Sequence, residues 1–411
     1  MKLFKSSLIA LALAGTTAAN AASLAITNAK VHTATSAGVL ENATVVIDNG
    51  VITAINPESF AADQTIDAQG KVLTPGFIAS MNQLGLVEVS AVASSRDASD
   101  KKADITFDAS LAFNPKSTAI PLTRKGGITR SVVAPRGGDD MFKGQTFVAD
   151  MSGDFDSVMA ANGAVVVELG AESKGSRAMA LQKLSNKLED AEKALAKAKK
   201  DDKDDKKDVK RDAQVINALL AGEKPLIAHV DRATDILAVL AMKERFGLNL
   251  VLAGAADSVL VMDEIAKANV PVVMSAMRNL PGSFDSLHTN LTNAGKLSKA
   301  GIKVIITVDG DTHNTHLLRF TVGNAVANGM DYDAALASVT ANVADVFGLD
   351  SGKIEVGKAA DIVLWSADPF ELSTKAKQLW ISGEAQVLES RQDKLRDRYT
   401  TDSDMPRAYI K

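Results

Sequence analysis

The feature that most constrains the fold is an alternation of short apolar runs and longer helical patterns through the middle of the chain. The apolar runs are rich in β-branched residues and recur every ~20–35 residues. They are Leu226–Ala228, Leu248–Leu252, Val270–Met274 and Val304–Thr307. Asp257–Ala268 and Tyr332–Phe347 have the apolar spacing of helices. This β-α-β order predicts a parallel sheet, either closed into a barrel or open and doubly wound.

Both ends of the chain have a different, β-rich pattern. Three short β-type runs near the N-terminus are Leu24–Ile26, Ala43–Ile47 and Val51–Ile55. Asp48-Asn49-Gly50 joins the last two and is a strong hairpin signal. Asp361–Trp365 and Leu379–Ile381 repeat the pattern near the C-terminus. We therefore expect one small domain that is assembled from both ends of the chain.

The N-terminus has the pattern of a secretory signal peptide. Lys2 and Lys5 precede a short apolar run at 8–14, and the small residues at 19–21 form a cleavage site. The apolar run is shorter than the roughly 20 residues that a membrane anchor needs. The sequence predicts export without a membrane anchor, with a periplasmic or secreted mature protein that begins near Ala22.

Bulk properties exclude several classes of function. The net charge is −4 with both signs mixed, which gives no support to a nucleic-acid partner. No cysteine is present, so thiol chemistry is excluded. No glycine-rich nucleotide-binding motif follows a strand. At Lys197–Asp212, 14 of 16 residues are charged, which predicts a helical excursion with a solvated tip, or less favourably a partner-docking arm.

Two segments resemble the amidohydrolase superfamily. Val72–Ile78 is similar to the strand that opens the superfamily barrel, V-x-x-P-G-[FL]-I-D-x-H-x-H. Gly352–Trp365 resembles the return into the small β domain, and Ala334–Gly348 is similar to the helix before it. The resemblance is closest to the imidazolonepropionase-like branch. It implies an α/β fold with a TIM-type (β/α)8 barrel and a small β-sandwich-like domain formed by both chain ends.

The residue patterns and the resemblance together give the expected domain boundaries. They are a signal peptide at 1–21, a small β domain at 22–74 and 352–411 including a C-terminal tail, and a barrel at 75–351 with the charged helical excursion at about 175–215.

The superfamily's chemistry uses one or two divalent metal ions at the C-terminal ends of the barrel strands, where they activate water and polarise the scissile bond. Met81 and Gln83 stand at the H-x-H positions, and neither is a competent ligand for a hydrolytic zinc. The sixth-strand position, around 252–255, has no histidine. Three of the four histidines that the resemblance implies are therefore replaced.

Four other residues match ligand positions. His229 stands at the fifth-strand position, and Glu168 is a candidate from an earlier strand. Asp309 or Asp311 is the eighth-strand acid, and the sequence does not choose between them. Glu168, His229 and one of these aspartates would hold one zinc or manganese ion, and a site without any metal is also compatible. His229, Asp309 and Asp311 are the candidate catalytic residues.

Other residues are candidates for the substrate site. Arg136 and Arg232 are possible carboxylate binders, and Met81 and Gln83 would line the pocket in place of ligands. The glycine-rich segment 125–145 predicts loops beside the pocket or plain turns between strands. His32 and His288 lie away from these positions, and both are predicted to be solvated.

The resemblance, taken together with these residues, implies two alternative functions. The first is an exported hydrolase of non-peptide carbon–nitrogen bonds in a cyclic amide or dipeptide-like small molecule, with at most one metal ion. The second is a catalytically inactive binding protein, or a partner of an intact paralogue in a heteromer; a homo-oligomer is equally open. Metal-free acid–base catalysis by His229 with Asp311 ranks last.

Overall fold

The computed structural model describes residues 23–170, 175–200 and 209–401. The predicted signal peptide and the most charged part of the predicted excursion, 201–208, lie outside the described residues. The strands are β1 (Leu24–His32), β2 (Val39–Asp48), β3 (Val51–Ile55), β4 (Gln64–Asp67), β5 (Val72–Pro75), β6 (Phe77–Asn82), β7 (Ile128–Val133), β8 (Phe142–Gln145), β9 (Phe147–Asp150), β10 (Val158–Ala160), β11 (Val165–Glu168), β12 (Leu226–Val230), β13 (Leu250–Gly254), β14 (Val272–Ser275), β15 (Val304–Thr307), β16 (Ile362–Trp365), β17 (Ala376–Ile381) and β18 (Glu384–Ala385). The α-helices are α1 (Ala119–Lys125), α2 (Arg177–Lys200), α3 (Arg211–Leu220), α4 (Ala233–Phe246), α5 (Met262–Lys267), α6 (Asn293–Lys299), α7 (Leu318–Ala327), α8 (Tyr332–Ala337), α9 (Ala341–Phe347) and α10 (Arg391–Thr400).

Strands from both ends of the chain share one eight-stranded sheet. Its order is β18-β17-β16-β5-β1-β2-β3, and β4 pairs with β1. The predicted hairpin joins β2 to β3, and Asn49 and Gly50 both have positive φ, which suits its tight turn. The strands of the two chain ends form one sheet. The second sheet that the predicted β-sandwich-like domain requires therefore stays a prediction.

The middle of the chain forms two further sheets. One has the order β15-β14-β13-β12-β11-β8, and the other has the order β10-β9-β7-β6. The two sheets meet at Thr146, which separates β8 from β9, and again where Thr307 Oγ1 donates to Ser80 O at 2.7 Å. Strands β11 to β15 and the pair β6–β7 are parallel, whereas β8 and β9 are antiparallel to their neighbours. The described ladders therefore do not close the predicted (β/α)8 barrel. The segment β8–β9 also departs from that prediction, because its strands are antiparallel to β11 and β7.

Two helix predictions need correction. In place of one helix at 257–268, the chain forms a short 3-10 turn at Ser258–Leu260 and then α5. The predicted helix at 332–347 is divided into α8 and α9 because Thr340 has φ −136° and ψ −97°, outside the helical region. The interruption lets the main chain of Val339 accept a hydrogen bond from Ile78 in β6 at 2.8 Å.

A buried ion pair joins the end sheet to the central strands. Arg130 on β7 is 2% exposed and pairs with Asp361, which is completely buried, and with Asp350 at 2.7 Å. Burial raises the pKa of Asp361, although the charge of Arg130 opposes the rise. Within the end sheet, Trp365 Nε1 of β16 donates to Thr74 Oγ1 of the neighbouring β5 at 2.9 Å. The contact between Arg130 and Asp361 is therefore shielded from water, whereas the Asp350 side chain is 71% exposed.

Candidate functional site

Alternate residues of the central strands point into a shared apolar interior. Ile78, Val166, Ile227, Val251 and Ile305 belong to one buried cluster, which Val343 and Ala344 of α9 also join. Because side chains alternate along a strand, residues two positions later lie on the same face. The candidate site therefore lies where these inward-facing rows reach the C-terminal ends of the strands.

Glu168 and His229 lie side by side at this position. They are register partners on the parallel pair β11–β12, and they continue the inward rows of Val166 and Ile227. The His229 Nδ1 atom lies 3.8 Å from Glu168 Oε2, and the His229 side chain is 41% exposed. Glu168 Oε1 accepts a hydrogen bond from the Gly170 amide at 3.0 Å. A carboxylate thus faces a half-exposed imidazole at the C-terminal ends of the central strands. We call the region around Glu168 and His229 the mouth.

Gly254 at the end of β13 leaves room for the neighbours of this pair. It has φ +78°, and a Cβ atom there would lie 2.8 Å from Asp231 Oδ1 and 3.5 Å from His229 Nδ1. Asp231 Oδ1 also accepts from the Ala256 amide at 3.3 Å. Absence of a side chain at the sixth-strand position therefore allows Asp231 and His229 to approach the backbone of β13.

The two candidate eighth-strand acids are engaged separately. Asp309, two residues after β15, accepts two hydrogen bonds from Arg278, Nη2–Oδ1 at 2.7 Å and Nε–Oδ2 at 3.0 Å. Asp311 accepts from Ser90 Oγ at 2.5 Å, and its main chain begins the 3-10 helix Thr312–Leu317. Asp309 is therefore paired with a guanidinium, and Asp311 with a loop that follows β6.

Met81 and Gln83 lie at the C-terminal end of β6, where the resemblance places the H-x-H pair. Met81 has φ +53° at an irregular point in the β6–β7 register. Its half-buried side chain packs against the interior cluster. The Gln83 carbonyl accepts from the amides of Leu86 and Val87 at 3.0 and 3.1 Å, which turns the chain away from β6.

The two predicted carboxylate binders have different environments. Arg136 is exposed, and its amide donates to Ala98 O at 2.8 Å. Arg232, by contrast, pairs through Nε with Asp285 Oδ1 at 2.5 Å. Asp285 also pairs with Arg177 at the start of α2. Burial would raise the pKa of Asp285, but hydrogen bonds and charge from Arg177 and Arg232 hold it below the ordinary value.

The loop at 276–292, between β14 and α6, carries groups that sequence reasoning missed. It supplies Arg278 to Asp309, Asp285 to Arg232, and His288 to Asp257 at 2.8 Å. The prediction of a solvated His288 thus overlooked its acidic partner. Arg278 follows the end of β14 by three residues, and its closeness to a strand end could have marked it as a candidate site residue. Asp285 lies further along the loop, and no sequence pattern marks it.

The described residues do not fit the metal centre that the family implies. A catalytic zinc needs about three protein ligands. Within 23–170, 175–200 and 209–401, no group of three or more His, Cys, Asp or Glu side chains could hold a metal ion. Glu168 and His229 come together, while Asp309 is bound by Arg278 and Asp311 by Ser90.

Comparison with known proteins identifies the family. A family model described as the amidohydrolase family matches residues 143–385, more than half of the chain. The chain belongs to the amidohydrolase family. Members of this superfamily are hydrolases that usually depend on metal ions.

In the described part of the chain, no helix is both long and apolar enough to cross a membrane.

Two individual relatives match this chain over only part of their own length. The amidohydrolase tasK of Hapsidospora irregularis is 24% identical over 392 residues, which cover 83% of this chain and 39% of that protein. An imidazolonepropionase of Aromatoleum aromaticum is 39% identical over 100 residues, 23% of this chain and 24% of that protein. The chain therefore spans well under half the length of both relatives.

Solved structures support a TIM-like barrel fold. An amidohydrolase from Thermotoga maritima has a TM-score of 0.80 and 23% identity, and the match covers 88% of this chain and 99% of that one. An enamidase has a TM-score of 0.52 and 15% identity, over 90% of this chain and 97% of that one. At these identities the likeness concerns the fold alone.

Proposed function

We propose that this amidohydrolase-family protein is exported and hydrolyses a non-peptide carbon–nitrogen bond in a small molecule bound at the mouth around Glu168 and His229. The observation that carries the proposal is the 3.8 Å approach of His229 Nδ1 to Glu168 Oε2 at the ends of adjacent strands. A carboxylate beside an imidazole orients the ring and stabilises its protonated form. Such pairs often tighten when substrate binds.

The chemistry follows from the placement of the ring. With Nδ1–H directed at Glu168, the Nε2 atom of His229 accepts a proton from a water molecule as that water attacks the carbonyl or imine carbon. The same proton then passes to the leaving nitrogen when the carbon–nitrogen bond breaks. Asp311, the partner considered from sequence, is bound to Ser90, so Glu168 takes its place in this scheme. No step is assigned to a metal ion, because the described donors do not assemble a centre.

The substrate class is part of the proposal. The partial match to an imidazolonepropionase supports a cyclic amide, and a dipeptide-like molecule is the second class. Arg136, exposed and close in sequence to the end of β7, is the proposed group for a substrate carboxylate. Arg232 is less suited to that role because it is already paired with Asp285.

The test is hydrolysis of a panel of cyclic amides and dipeptides by the mature protein, with chelator and with added zinc or manganese. We expect activity that survives chelator and falls by about 10²–10⁴-fold in His229→Gln, the usual contribution of a general base. Glu168→Gln should lower the rate in the same direction, and the exposed His313→Gln should leave it unchanged. Activity that requires added metal would contradict the metal-free scheme.

A second candidate is a catalytically inactive binding protein, alone as a homo-oligomer or as the partner of an intact paralogue. The pairing of Asp309 with Arg278 favours it, because both carboxylate oxygens are already used by a cation. Calorimetric titration with the same panel separates the two functions. Saturable binding without turnover would support the inactive protein, and turnover would exclude it.

Export is tested independently of activity. Fractionation of the source cells, followed by N-terminal sequencing of the purified protein, should find a mature chain that begins near Ala22 outside the cytoplasm. A cytoplasmic protein that keeps Met1 would contradict this part of the proposal.

A further inference from the structure

A cavity lies away from the mouth, at the junction of the end sheet and the helices. It has a volume of about 340 Å³ and lies between the loop 33–38 that follows β1 and the helices α8 and α9. Asn342 in its wall donates through Nδ2 to Val304 O, the first residue of β15, at 2.9 Å. The cavity therefore opens at the N-terminal end of this central strand, whereas the mouth lies at the C-terminal ends.

His32 forms part of the cavity wall, contrary to the prediction that it is solvated. The residue is only 9% exposed, and its Nδ1 atom is buried without a hydrogen-bond partner. The ring packs against Tyr332 with centroids 5.3 Å apart, and Tyr332 is fixed by a hydrogen bond to Asp368 at 3.1 Å. A buried nitrogen without a partner is costly, and such groups call for an explanation.

The loop that covers His32 is held in one conformation. Thr33 Oγ1 donates to Gly38 O at 2.8 Å and accepts from the Thr35 amide at 3.2 Å. Ala34 has φ +54°, a conformation that costs free energy for a residue with a Cβ atom. A fixed loop with a strained residue in a cavity wall is typical of a preorganised binding site.

The charges at the cavity favour a cation. Its described lining contains the carboxylate of Asp333 and the hydroxyls of Thr35 and Ser36, but no lysine or arginine. Burial, followed by the charge of Lys30, lowers the pKa of His32, so the ring carries less positive charge than an exposed histidine at the same pH. Lys30 itself pairs with Glu41 at 3.0 Å.

We propose that this cavity is a second small-molecule site, which binds a compound carrying a primary ammonium group. The ammonium would donate to the Asp333 carboxylate, and the remainder of the molecule would pack against His32 and the alanine-rich wall of α8. The volume is within the range of small-molecule pockets, and such pockets often lie where two layers of a protein meet. An anionic compound would instead be repelled by Asp333.

The test uses the histidine signals of the intact protein in NMR spectra, because the chain has only five histidines. The signal of His32 is assigned from His32→Gln and that of His229 from His229→Gln. The probe is 1,4-diaminobutane, and its control is 1,4-butanediol, which has the same length without charge. We expect the His32 signal to shift saturably with the diamine, in the millimolar range, and not with the diol.

Two variants locate the interaction. Asp333 is exposed, so Asp333→Asn should fold normally and weaken binding of the diamine by about tenfold. Ala337→Phe fills the cavity without changing a polar group and should abolish the saturable shift. A His32 signal that does not respond to the diamine overturns the proposal, as does a shift that the diol reproduces or that Asp333→Asn leaves unchanged. A shift confined to His229 also overturns it, because that would place the diamine at the mouth.

Discussion

The ion pair between Arg278 and Asp309 gives the sharpest prediction about the mouth, because it can be tested by rebuilding the missing ligands. We consider the double variant Met81→His with Gln83→His, alone and together with Arg278→Ala. Met81 has φ +53°, a region in which histidine is enriched over most residues. The new histidines would face the strand ends that carry Glu168 and His229.

The magnitude follows from the exposure of the pair. Asp309 and Arg278 side chains are 40% and 51% exposed, and the shorter contact is 2.7 Å. Separating such an exposed pair costs about 0.2–1 kcal/mol, a factor of roughly 1.4–5 in affinity. We expect the two histidines to raise zinc affinity by at least about tenfold over the wild type. Removal of Arg278 should add roughly that factor of 1.4–5 by freeing Asp309.

The assay is competition with a chromophoric chelator for zinc and for manganese, with stoichiometry from elemental mass spectrometry. Arg245→Ala is the matched control, since Arg245 is also exposed and pairs with Glu189 at 2.7 Å away from the mouth. The reasoning is refuted if Arg278→Ala leaves the affinity of the rebuilt protein unchanged. It is also refuted if the gain persists when Asp309→Asn is added.

Three further predictions concern stability. Arg130→Met should destabilise the fold by roughly 3–5 kcal/mol in urea unfolding, because Asp361 is left buried without its partner, and adding Asp361→Asn should recover part of the loss. Gly254→Ala should cost about 1 kcal/mol or more, because φ is +78° and the new Cβ would lie 2.8 Å from a carboxylate oxygen; Gly247→Ala, at φ +68° in open space, should cost less in the same assay. Hydrogen bonds from Lys125 and Ser390 lower the pKa of Asp393, so its stabilisation of α10 is complete above the unfolded pKa of about 3.9 and is lost as pH falls below that value. Hydrogen exchange of α10 should show this loss in the wild type and not in Asp393→Asn, and a pH-independent wild type would contradict it.

The sequence predicted the strands well because burial on both faces leaves a clear apolar signal. Val304–Thr307 matches β15 as predicted, whereas the run at 270–274 is displaced to β14 at Val272–Ser275. The antiparallel segment β8–β9 was missed, because its glycine-rich beginning has the pattern of a loop. Its direction is set by pairing with β11 and β7, which are distant in sequence.

For the candidate site, the sequence could predict only the positions of residues that lie at the end of a strand. The registered approach of Glu168 to His229 agrees with the placement of both residues at strand ends. The pairing of Asp309 with Arg278 depends on two loops that meet at one edge, and no local pattern carries that information. His32 was misread for the same reason, since the groups that bury it come from α8, about 300 positions later in the chain.

The sharing of one sheet by both chain ends has a consequence for biogenesis. Thr74 and Trp365, which meet across β5 and β16, are 291 residues apart. Until the last part of the chain is synthesised, β5 has an open edge that can pair with another polypeptide. Contacts of such long range form slowly, so we expect the N-terminal strands to need a chaperone, or delayed folding, for most of the time that synthesis takes. A ribosome stalled before residue 362 would therefore hold a chain that is prone to aggregate, however well its central strands had already packed.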